Sequence, residues 1–174
     1  MTARELVSYI RDVPDFPTKG ILFRDITPLL ASGDAFAEAV RRMAEPFREA
    51  RAAKVLGIEA RGFMFGAAVA RELAIGFVPA RKSGKLPRQS VRVSYGLEYG
   101  TDSLEVHADA FAPGERILVV DDVLATGGTA RAASELVEKL NAVVVGLSFL
   151  IELPPLQGRK QLSGRPIHSV LMLE

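Results

Sequence analysis

The sequence predicts an α/β fold in which helices flank a parallel sheet. Residues 54–58 and 117–120 are short aliphatic and β-branched runs, which are typical of strands buried on both faces. A stretch with helical periodicity follows each run, at 63–73 and at 130–140. Because strands that alternate with helices form parallel sheets with right-handed connections, this order favours a single sheet. The chain, 1–174, is long enough for one domain and too short for two substantial ones.

Composition and charge exclude several classes of protein. The 22 basic and 21 acidic residues leave a net charge of +1, so no global field indicates a nucleic-acid or membrane partner. The chain has no cysteine, which excludes disulfides and thiolate metal sites and is compatible with the cytoplasmic location that we expect. The longest apolar run, 143–151, is much shorter than the roughly 20 residues that span a bilayer. His107 and His168 lack metal-ligand spacing and are expected to be structural or surface groups.

Helices are predicted at two places in the N-terminal region. Leu6, Ile10 and Val13 share one face of a short amphipathic helix, which Pro14 should end. Asp34 is a candidate N-cap for a second helix. The inner face of that helix is apolar and consists of Phe36, Val40, Met43, Ala44 and Phe47.

Residues 15–30, which read DFPTKGILFRDITPLL, lie between these helices. Prolines, one glycine and apolar side chains predict an irregular but packed segment. Without a role in binding, this segment would be a structural lid. Phe23 could instead stack on a planar ring whose edge is hydrogen-bonded by the neighbouring main chain.

The strand at 54–58 and the helix at 63–73 enclose a loop with the sequence EARG. This loop lies at the carboxyl end of the strand, where ligands bind in open α/β sheets. Arg61 offers a planar donor fork suited to phosphate, although an isolated arginine is usually a solvated surface group.

A third strand, at 76–80, runs into the sequence RKSGKLP. Three cations within five residues, Arg81, Lys82 and Lys85, are enough to hold a pyrophosphate without an excess of charge elsewhere. A solvated charged turn is the alternative interpretation.

Residues 86–107 predict a two-stranded excursion after this turn. Apolar side chains alternate with polar ones on both sides of an EYG sequence, which indicates two paired strands long enough to form a lid. Glu98 and Tyr99 lie at its tip, where an exposed glutamate by itself usually has no function.

The narrowest motif follows the strand at 117–120. Asp121 and Asp122 come at its carboxyl end, and the next helix offers unpaired backbone N–H groups that favour an anion. The turn between them suits a phosphate because it combines small residues with hydroxyl donors, namely Thr126, Gly127, Gly128 and Thr129.

Two carboxylates beside a phosphate site constrain the ligand. They would repel a phosphate alone, so the ligand should also carry hydroxyls or a divalent cation, and a ribose 5-phosphate with Mg²⁺ meets this demand. The alternative is that Asp121 and Asp122 only end a strand and that the glycines only turn the chain. Two adjacent acids before ATGGT form a much narrower pattern than a lone GxGxxG.

The C-terminal region carries weaker signals. Residues 143–151 predict another buried strand of the sheet. A short helix at 156–162 and a final edge strand at 167–173 complete the predicted elements.

Four motifs, in chain order, resemble those of one family. VVDDVLATGGT is similar to the phosphoribosyl-pyrophosphate signature of the type I phosphoribosyltransferases. The segment DFPTKGILFRDITPLL, the EARGF loop and RKSGKLP with LEYG resemble the adenine-specific members of that family, and the resemblance covers nearly the whole chain. It implies the single-domain type I phosphoribosyltransferase fold, with an N-terminal hood at 1–33 and a mobile two-stranded lid, the catalytic loop, at 86–107.

The resemblance also implies a role for each motif. The ribose hydroxyls are expected at Asp121 and Asp122. The 5-phosphate is expected at Ala125, Thr126, Gly127, Gly128 and Thr129. Pyrophosphate is expected at Arg61, Arg81, Lys82 and Lys85, and adenine at Leu22, Phe23 and Arg24. Glu98 is the implied catalytic carboxylate, with Tyr99 beside it in the lid. A non-proline cis peptide is expected at Glu59-Ala60.

The implied reaction transfers the 5-phosphoribosyl group from phosphoribosyl pyrophosphate to adenine and gives AMP and pyrophosphate. Mg²⁺ is expected to arrive with the substrate and not on direct protein ligands, and the family implies a homodimer. Relatives specific for hypoxanthine and guanine have a lysine in the region that matches 141–153, and it donates to the 6-oxo group of the base. Residues 141–153 contain no Lys or Arg, which favours a 6-amino purine. The alternatives are a transferase for another purine base and a phosphoribosyl-pyrophosphate-binding regulator without catalysis. The regulator is disfavoured because little chain precedes the hood and Glu98 is present.

Overall fold

A seven-stranded sheet with helices on both faces dominates the structure, a computed structural model that describes residues 1–97 and 100–174. The α-helices of this part are α1 (Ala3–Val7), α2 (Thr27–Ala31), α3 (Gly33–Ala44), α4 (Gly62–Glu72) and α5 (Gly128–Lys139). The strands are β1 (Arg11–Pro14), β2 (Leu22–Asp25), β3 (Lys54–Ile58), β4 (Gly76–Lys82), β5 (Ser90–Leu97), β6 (Gly100–His107), β7 (Arg116–Leu124), β8 (Val143–Glu152) and β9 (Ile167–Met172). Short 3₁₀ helices span Glu45–Ala50, Pro154–Leu156 and Gly158–Leu162.

The strand order is β5-β6-β4-β3-β7-β8-β9. Strands β4, β3, β7, β8 and β9 are parallel, so the predicted parallel sheet with flanking helices is confirmed. The predicted two-stranded excursion is also present, as the antiparallel pair β5 and β6. It extends the central sheet through an antiparallel join, in which Arg81 and Lys82 of β4 face Glu105 and Leu104 of β6.

The two faces of β7 belong to two apolar cores. Ile117 and Val119 pack in a cluster with residues of α5, whereas Leu118 and Val120 pack in a cluster with residues of α3 and α4. All four side chains are fully buried, and their alternation follows from the pleat of the strand. Burial on both faces explains why this strand reads as an unbroken apolar run.

The first helix is shorter than predicted. A capping box between Thr2 and Glu5 starts α1, which ends at Val7. Val13 lies instead in β1, opposite Phe23 of β2. The apolar spacing was misleading because a residue that precedes proline, as Val13 does, is sterically pushed to extended backbone.

The hood segment is less packed than predicted. Phe16, Ile21 and Leu22 are each about half exposed, although the segment continues into the ordered strand β2 and helix α2. The predicted N-cap is also wrong by two residues. The hydroxyl of Ser32 accepts a hydrogen bond from the Ala35 amide, and Asp34 lies in the first turn of α3, where its charge favours the helix dipole.

Asp121 and Asp122 do not end their strand, contrary to the prediction. β7 continues to Leu124, and its pairing with β8 extends to Glu152. Ladder hydrogen bonds use backbone groups only, so charged side chains do not by themselves stop a strand. Both acids are therefore held by the backbone of the sheet.

The C-terminal edge strand is confirmed as β9, but the predicted helix at 156–162 is not continuous. Gln157 has a left-handed backbone, with φ of 54°, and separates two short 3₁₀ helices. No helix in the two described ranges is long and apolar enough to cross a membrane.

Candidate active site

The turn between β7 and α5 forms a small backbone-lined cradle. Residues 123–130 enclose a cavity of about 60 Å³. Gly127, with φ of +89°, is the N-cap of α5 and directs the first N–H groups of the helix toward this cavity. A β-carbon on Gly127 would collide with the carbonyl oxygen of Gly158, so the turn is packed against the last 3₁₀ helix. The cradle suits an anion such as phosphate.

The two acids beside the cradle are buried. Asp121 is 9% and Asp122 is 6% exposed, and the Asp122 amide donates a 2.9 Å hydrogen bond to Oδ1 of Asp121. Burial raises the pKa of Asp121 well above its ordinary value, and the neighbouring Asp122 charge raises it further. The site therefore holds concentrated negative potential that is relieved by hydroxyl donors or a cation.

Arg61 connects Asp122 to the hood. Its Nε lies 2.8 Å from Oδ2 of Asp122, yet the approach lacks hydrogen-bond geometry, so this buried oxygen has no donor among the described residues. Burial raises the pKa of Asp122 although Arg61 opposes the shift. The guanidinium carbon of Arg61 also lies 5.0 Å from the centre of the Phe23 ring, a cation–π contact. The predicted base residue and the predicted ribose acid thus flank one arginine.

The remaining predicted adenine residues lie in the hood. Leu22 is half exposed, and Phe23 is flanked edge-on by Phe16 at 5.1 Å. The guanidinium of Arg24 donates to Asp12 at 2.5 Å and to the carbonyl oxygen of Glu174. Because Asp12 and Glu174 already engage this side chain, any reading of a base by Arg24 would rely on its main chain.

Two cations of the RKSGKLP turn, Arg81 and Lys85, converge on Glu59. Oε2 of Glu59 accepts hydrogen bonds from Nε of Arg81 at 3.2 Å and from the Lys82 amide at 2.8 Å, and Oε1 accepts one from Nζ of Lys85. Burial raises the pKa of Glu59, but the hydrogen bonds from Lys85, Lys82 and Arg81 outweigh it and hold the pKa below its ordinary value. The Glu59-Ala60 peptide is cis, at the position expected.

Lys82 directs its side chain to the hairpin and not to Glu59. Its Nζ donates to the Tyr95 hydroxyl at 2.9 Å and to Asp102. Burial lowers the pKa of Lys82, but the hydrogen bonds to Asp102 and Tyr95 reverse the effect and raise it. The structure therefore divides the three predicted cations between two carboxylates.

Residues 30–163 match the family described as the phosphoribosyl transferase domain. The chain belongs to the phosphoribosyltransferase family. It is 54% identical over 167 residues to the adenine phosphoribosyltransferase of Carboxydothermus hydrogenoformans, covering 96% of this chain and 98% of that relative.

Solved structures of adenine phosphoribosyltransferases share the fold of this phosphoribosyltransferase. The enzyme from Rhodothermus marinus has a TM-score of 0.94 and 53% identity, with 98% of each chain covered. The enzyme from Saccharomyces cerevisiae, solved with D-2,5-dideoxy-2,5-imino-altritol 1,6-bisphosphate and adenine, has a TM-score of 0.90 and 39% identity, with 97% of this chain and 98% of that chain covered. The type I fold expected from the sequence motifs is confirmed.

Two predicted residues of this phosphoribosyltransferase, Glu98 and Tyr99, lie outside the described residues. The strands that lead to them are described, and their root is packed, because Val93 and Tyr95 of β5 and Leu104 of β6 are buried against α5. The catalytic role of Glu98 stays a prediction.

Glu105 is a residue of this phosphoribosyltransferase that the sequence analysis missed. It is buried on β6 and accepts hydrogen bonds from Nε of Arg92 at 2.6 Å, from the Ser83 hydroxyl at 3.1 Å and from the Gly84 amide at 3.2 Å. One carboxylate therefore ties the cation turn to both strands of the hairpin. A lone acid between the apolar Leu104 and Val106 was the available signal.

Proposed function

We propose that this phosphoribosyltransferase transfers the 5-phosphoribosyl group from phosphoribosyl pyrophosphate to adenine, forming AMP and releasing pyrophosphate. The proposal draws on the adenine phosphoribosyltransferases that match nearly the whole chain. The geometric observation that carries it is the position of Arg61, which contacts the hood ring of Phe23 and the buried Asp122. Base and ribose sites would then adjoin, as transfer between them requires.

In the proposed complex, the cradle binds the 5-phosphate. Ala125, Thr126, Gly127, Gly128 and Thr129 supply backbone N–H groups and hydroxyls, and the N-terminus of α5 adds a favourable dipole. Asp121 and Asp122 accept hydrogen bonds from the ribose hydroxyls. Oδ2 of Asp122, buried and without a donor among the described residues, gains a partner in this way.

Mg²⁺ is the proposed cofactor, carried by phosphoribosyl pyrophosphate. The residues present fit an ion that arrives on the substrate without direct protein ligands, since the two buried carboxylates, Asp121 and Asp122, make this site electrostatically favourable to a cation. When bound, the ion would neutralise charge on the pyrophosphate oxygens.

The pyrophosphate leaving group is assigned to the cations Arg61, Arg81, Lys82 and Lys85. Cations fixed near the oxygen that gains charge as the C1–O bond breaks stabilise the transition state. Arg81 and Lys85 are joined to the same carboxylate, which supports their acting on one ligand.

Adenine is proposed to bind under the hood, 1–33, against Leu22, Phe23 and Arg24. The hairpin, 86–107, would close over it as a lid that carries Glu98 and Tyr99. The attacking purine nitrogen must lose its proton, and we assign Glu98 as the carboxylate that accepts it. The same negative charge favours the oxocarbenium-like ribose of the transition state.

A pyrophosphate-release assay with several bases tests the proposal. We expect turnover with adenine and little with hypoxanthine or guanine, because residues 141–153 offer no cationic donor to a 6-oxo group. Comparable turnover of hypoxanthine would contradict the base assignment. Binding of phosphoribosyl pyrophosphate without release of pyrophosphate for any base would favour the regulator.

A further inference from the structure

Glu59 pairs with two of the four cations that are proposed to hold pyrophosphate, Arg81 and Lys85. Both of its carboxylate oxygens are engaged, one by Lys85 and the other by Arg81 and the Lys82 amide. The Glu59 side chain is only 11% exposed, whereas Arg81 is 34% and Lys85 is 47% exposed. A ligand from solvent can therefore reach the cations, with Glu59 behind them.

The charges in this region are nearly balanced. Arg81 and Lys85 pair with Glu59, and Lys82 pairs with Asp102. Three cations and two carboxylates leave a net charge of +1. The hydrogen bonds that lower the pKa of Glu59 keep it ionised at neutral pH, despite the opposing effect of burial.

Pyrophosphate and the Glu59 carboxylate are both anions whose oxygens accept hydrogen bonds, so both can bind the same N–H donors. Each N–H that turns from the carboxylate to a pyrophosphate oxygen leaves Glu59 with fewer partners. The two anions also repel each other across a few ångströms, where solvent screens charge less than in bulk water.

We propose that Glu59 competes with pyrophosphate for Arg81 and Lys85, so that its carboxylate weakens pyrophosphate binding and speeds release of this product. The inference rests on the proposed function, in which these cations bind pyrophosphate. If Glu59 were purely structural and only held the cations in place, removing its charge would weaken pyrophosphate binding. The competition predicts the opposite change in affinity.

Calorimetric titration of the full chain with magnesium pyrophosphate shows whether removing the Glu59 charge tightens or weakens binding. Glu59→Gln keeps the side-chain shape and removes the charge. We expect its Kd to fall about tenfold, because unit charges roughly 4 Å apart, at the effective dielectric constant of about 20 usual near a protein surface, repel by more than the free energy of a tenfold change in affinity. The inhibition constant of pyrophosphate in the forward reaction should fall by the same factor. An unchanged or higher Kd overturns the proposal.

Glu115→Gln is the matched control. Glu115 accepts hydrogen bonds from Nζ of Lys54 at 3.0 Å and from the Ala112 amide at 2.9 Å, so it also pairs with a lysine and an amide. It precedes β7, whereas the site lies beyond the other end of that strand, and its replacement should leave the Kd for pyrophosphate unchanged. A Kd that falls equally in Glu115→Gln overturns a specific role for Glu59.

Lys85→Ala distinguishes failure of the inference from failure of the proposed site. If Lys85→Ala weakens pyrophosphate binding but Glu59→Gln does not tighten it, only the competition is wrong. If Lys85→Ala has no effect, the assignment of the pyrophosphate site is wrong as well. Should Glu59→Gln fail to fold, Glu59→Ala frees the same cations and is expected to lower the Kd in the same direction, and a higher Kd overturns the proposal.

Discussion

Asp121 is buried where a carboxylate is unfavourable for folding. Its pKa is raised by burial and by Asp122, so ionisation is easier in the unfolded chain. A raised native pKa means that the full stability is present below the unfolded pKa, near 3.8, and is lost as the pH rises through the native pKa. The negative charge that Asp121 is proposed to use in binding therefore lowers the stability of the folded chain at neutral pH.

We predict that Asp121→Asn is more stable than the natural chain at neutral pH and binds phosphoribosyl pyrophosphate more weakly. Asn keeps an oxygen for the Asp122 amide but carries no charge. Thermal unfolding should show a higher Tm at pH 7, by about 2 to 4 °C for each kcal/mol gained. At pH about 3.5, where the carboxyl is largely protonated in both states, the difference should shrink. A Tm difference independent of pH would contradict the electrostatic explanation.

Glu98 is the residue on which the chemistry is expected to depend. Glu98→Gln keeps the shape without the basicity, so we predict a kcat lower by about 10²-fold or more, with much smaller changes in KM. Single-turnover kinetics are the appropriate measurement, because product release then cannot hide the chemical step. A rate within about threefold of the natural chain would reduce Glu98 to a lid residue.

The phosphate cradle depends on a close contact between two glycines, one at the N-cap of α5 and one in the last 3₁₀ helix. Gly127 is the N-cap of α5, and a β-carbon there would collide with Gly158 in the last 3₁₀ helix. We predict that Gly127→Ala destabilises the fold by about 1 to 3 kcal/mol beyond the strain of its positive φ, and that it weakens binding of the 5-phosphate.

Gly164→Ala is the control for this comparison. Gly164 has a φ of +82°, close to the +89° of Gly127, but a β-carbon there would have no atom within 4 Å. Chemical denaturation should therefore show backbone strain alone for Gly164→Ala. Equal losses of unfolding free energy in the two variants would mean that the contact between the elements adds nothing.

The hairpin and the cation turn are linked by Glu105. Removing its charge with Glu105→Gln should loosen Ser83 and Gly84, and with them the backbone that positions Lys85. We predict that KM for phosphoribosyl pyrophosphate rises about tenfold, as expected for loss of one charge-assisted hydrogen bond of 1.5 to 3 kcal/mol, while KM for adenine changes little. Steady-state kinetics with each substrate varied in turn provides the test, and an equal rise in both constants would indicate general disruption.

The elements were predictable where one physical rule decided them. Burial on both faces made the central strands continuous apolar runs, and 54–58 was placed without error. Prediction failed where neighbours in space decide the outcome. Asp121 and Asp122 stay in their strand because β8 continues beside them, and no local signal reports that neighbour. In the same way, motif matching located the cations but not their partners Glu59 and Asp102, since these contacts join residues about 20 apart in sequence or more.

At the scale of the whole molecule, the face around the EARGF loop is expected to bind a second copy. Met64 is 40% and Phe77 is 36% exposed, and the Phe77 ring lies edge-on to Phe63 of this loop at 6.1 Å, so large apolar side chains are exposed at this face. We predict a homodimer, with a mass by light scattering of roughly twice 18.8 kDa. Met64→Lys should shift the mass toward the monomer because burying an unpaired charge in an interface is costly.

Val143→Lys is the matched control for the dimer. Val143 is also a large exposed apolar residue, at the start of β8 and therefore at the opposite end of the parallel strands from the loops. Its substitution should leave the mass unchanged. A natural chain that scatters as a monomer at micromolar concentration would contradict the dimer.

The packed root of the hairpin also affects the entropy of binding. Val93, Tyr95, Leu104 and Val106 are buried, so the backbone around them is already fixed when the chain folds. Ordering one residue costs about 1 to 2 kcal/mol of backbone conformational entropy, and here folding supplies that cost before any substrate arrives. More of the free energy of substrate contacts is then left to hold the reacting groups in line.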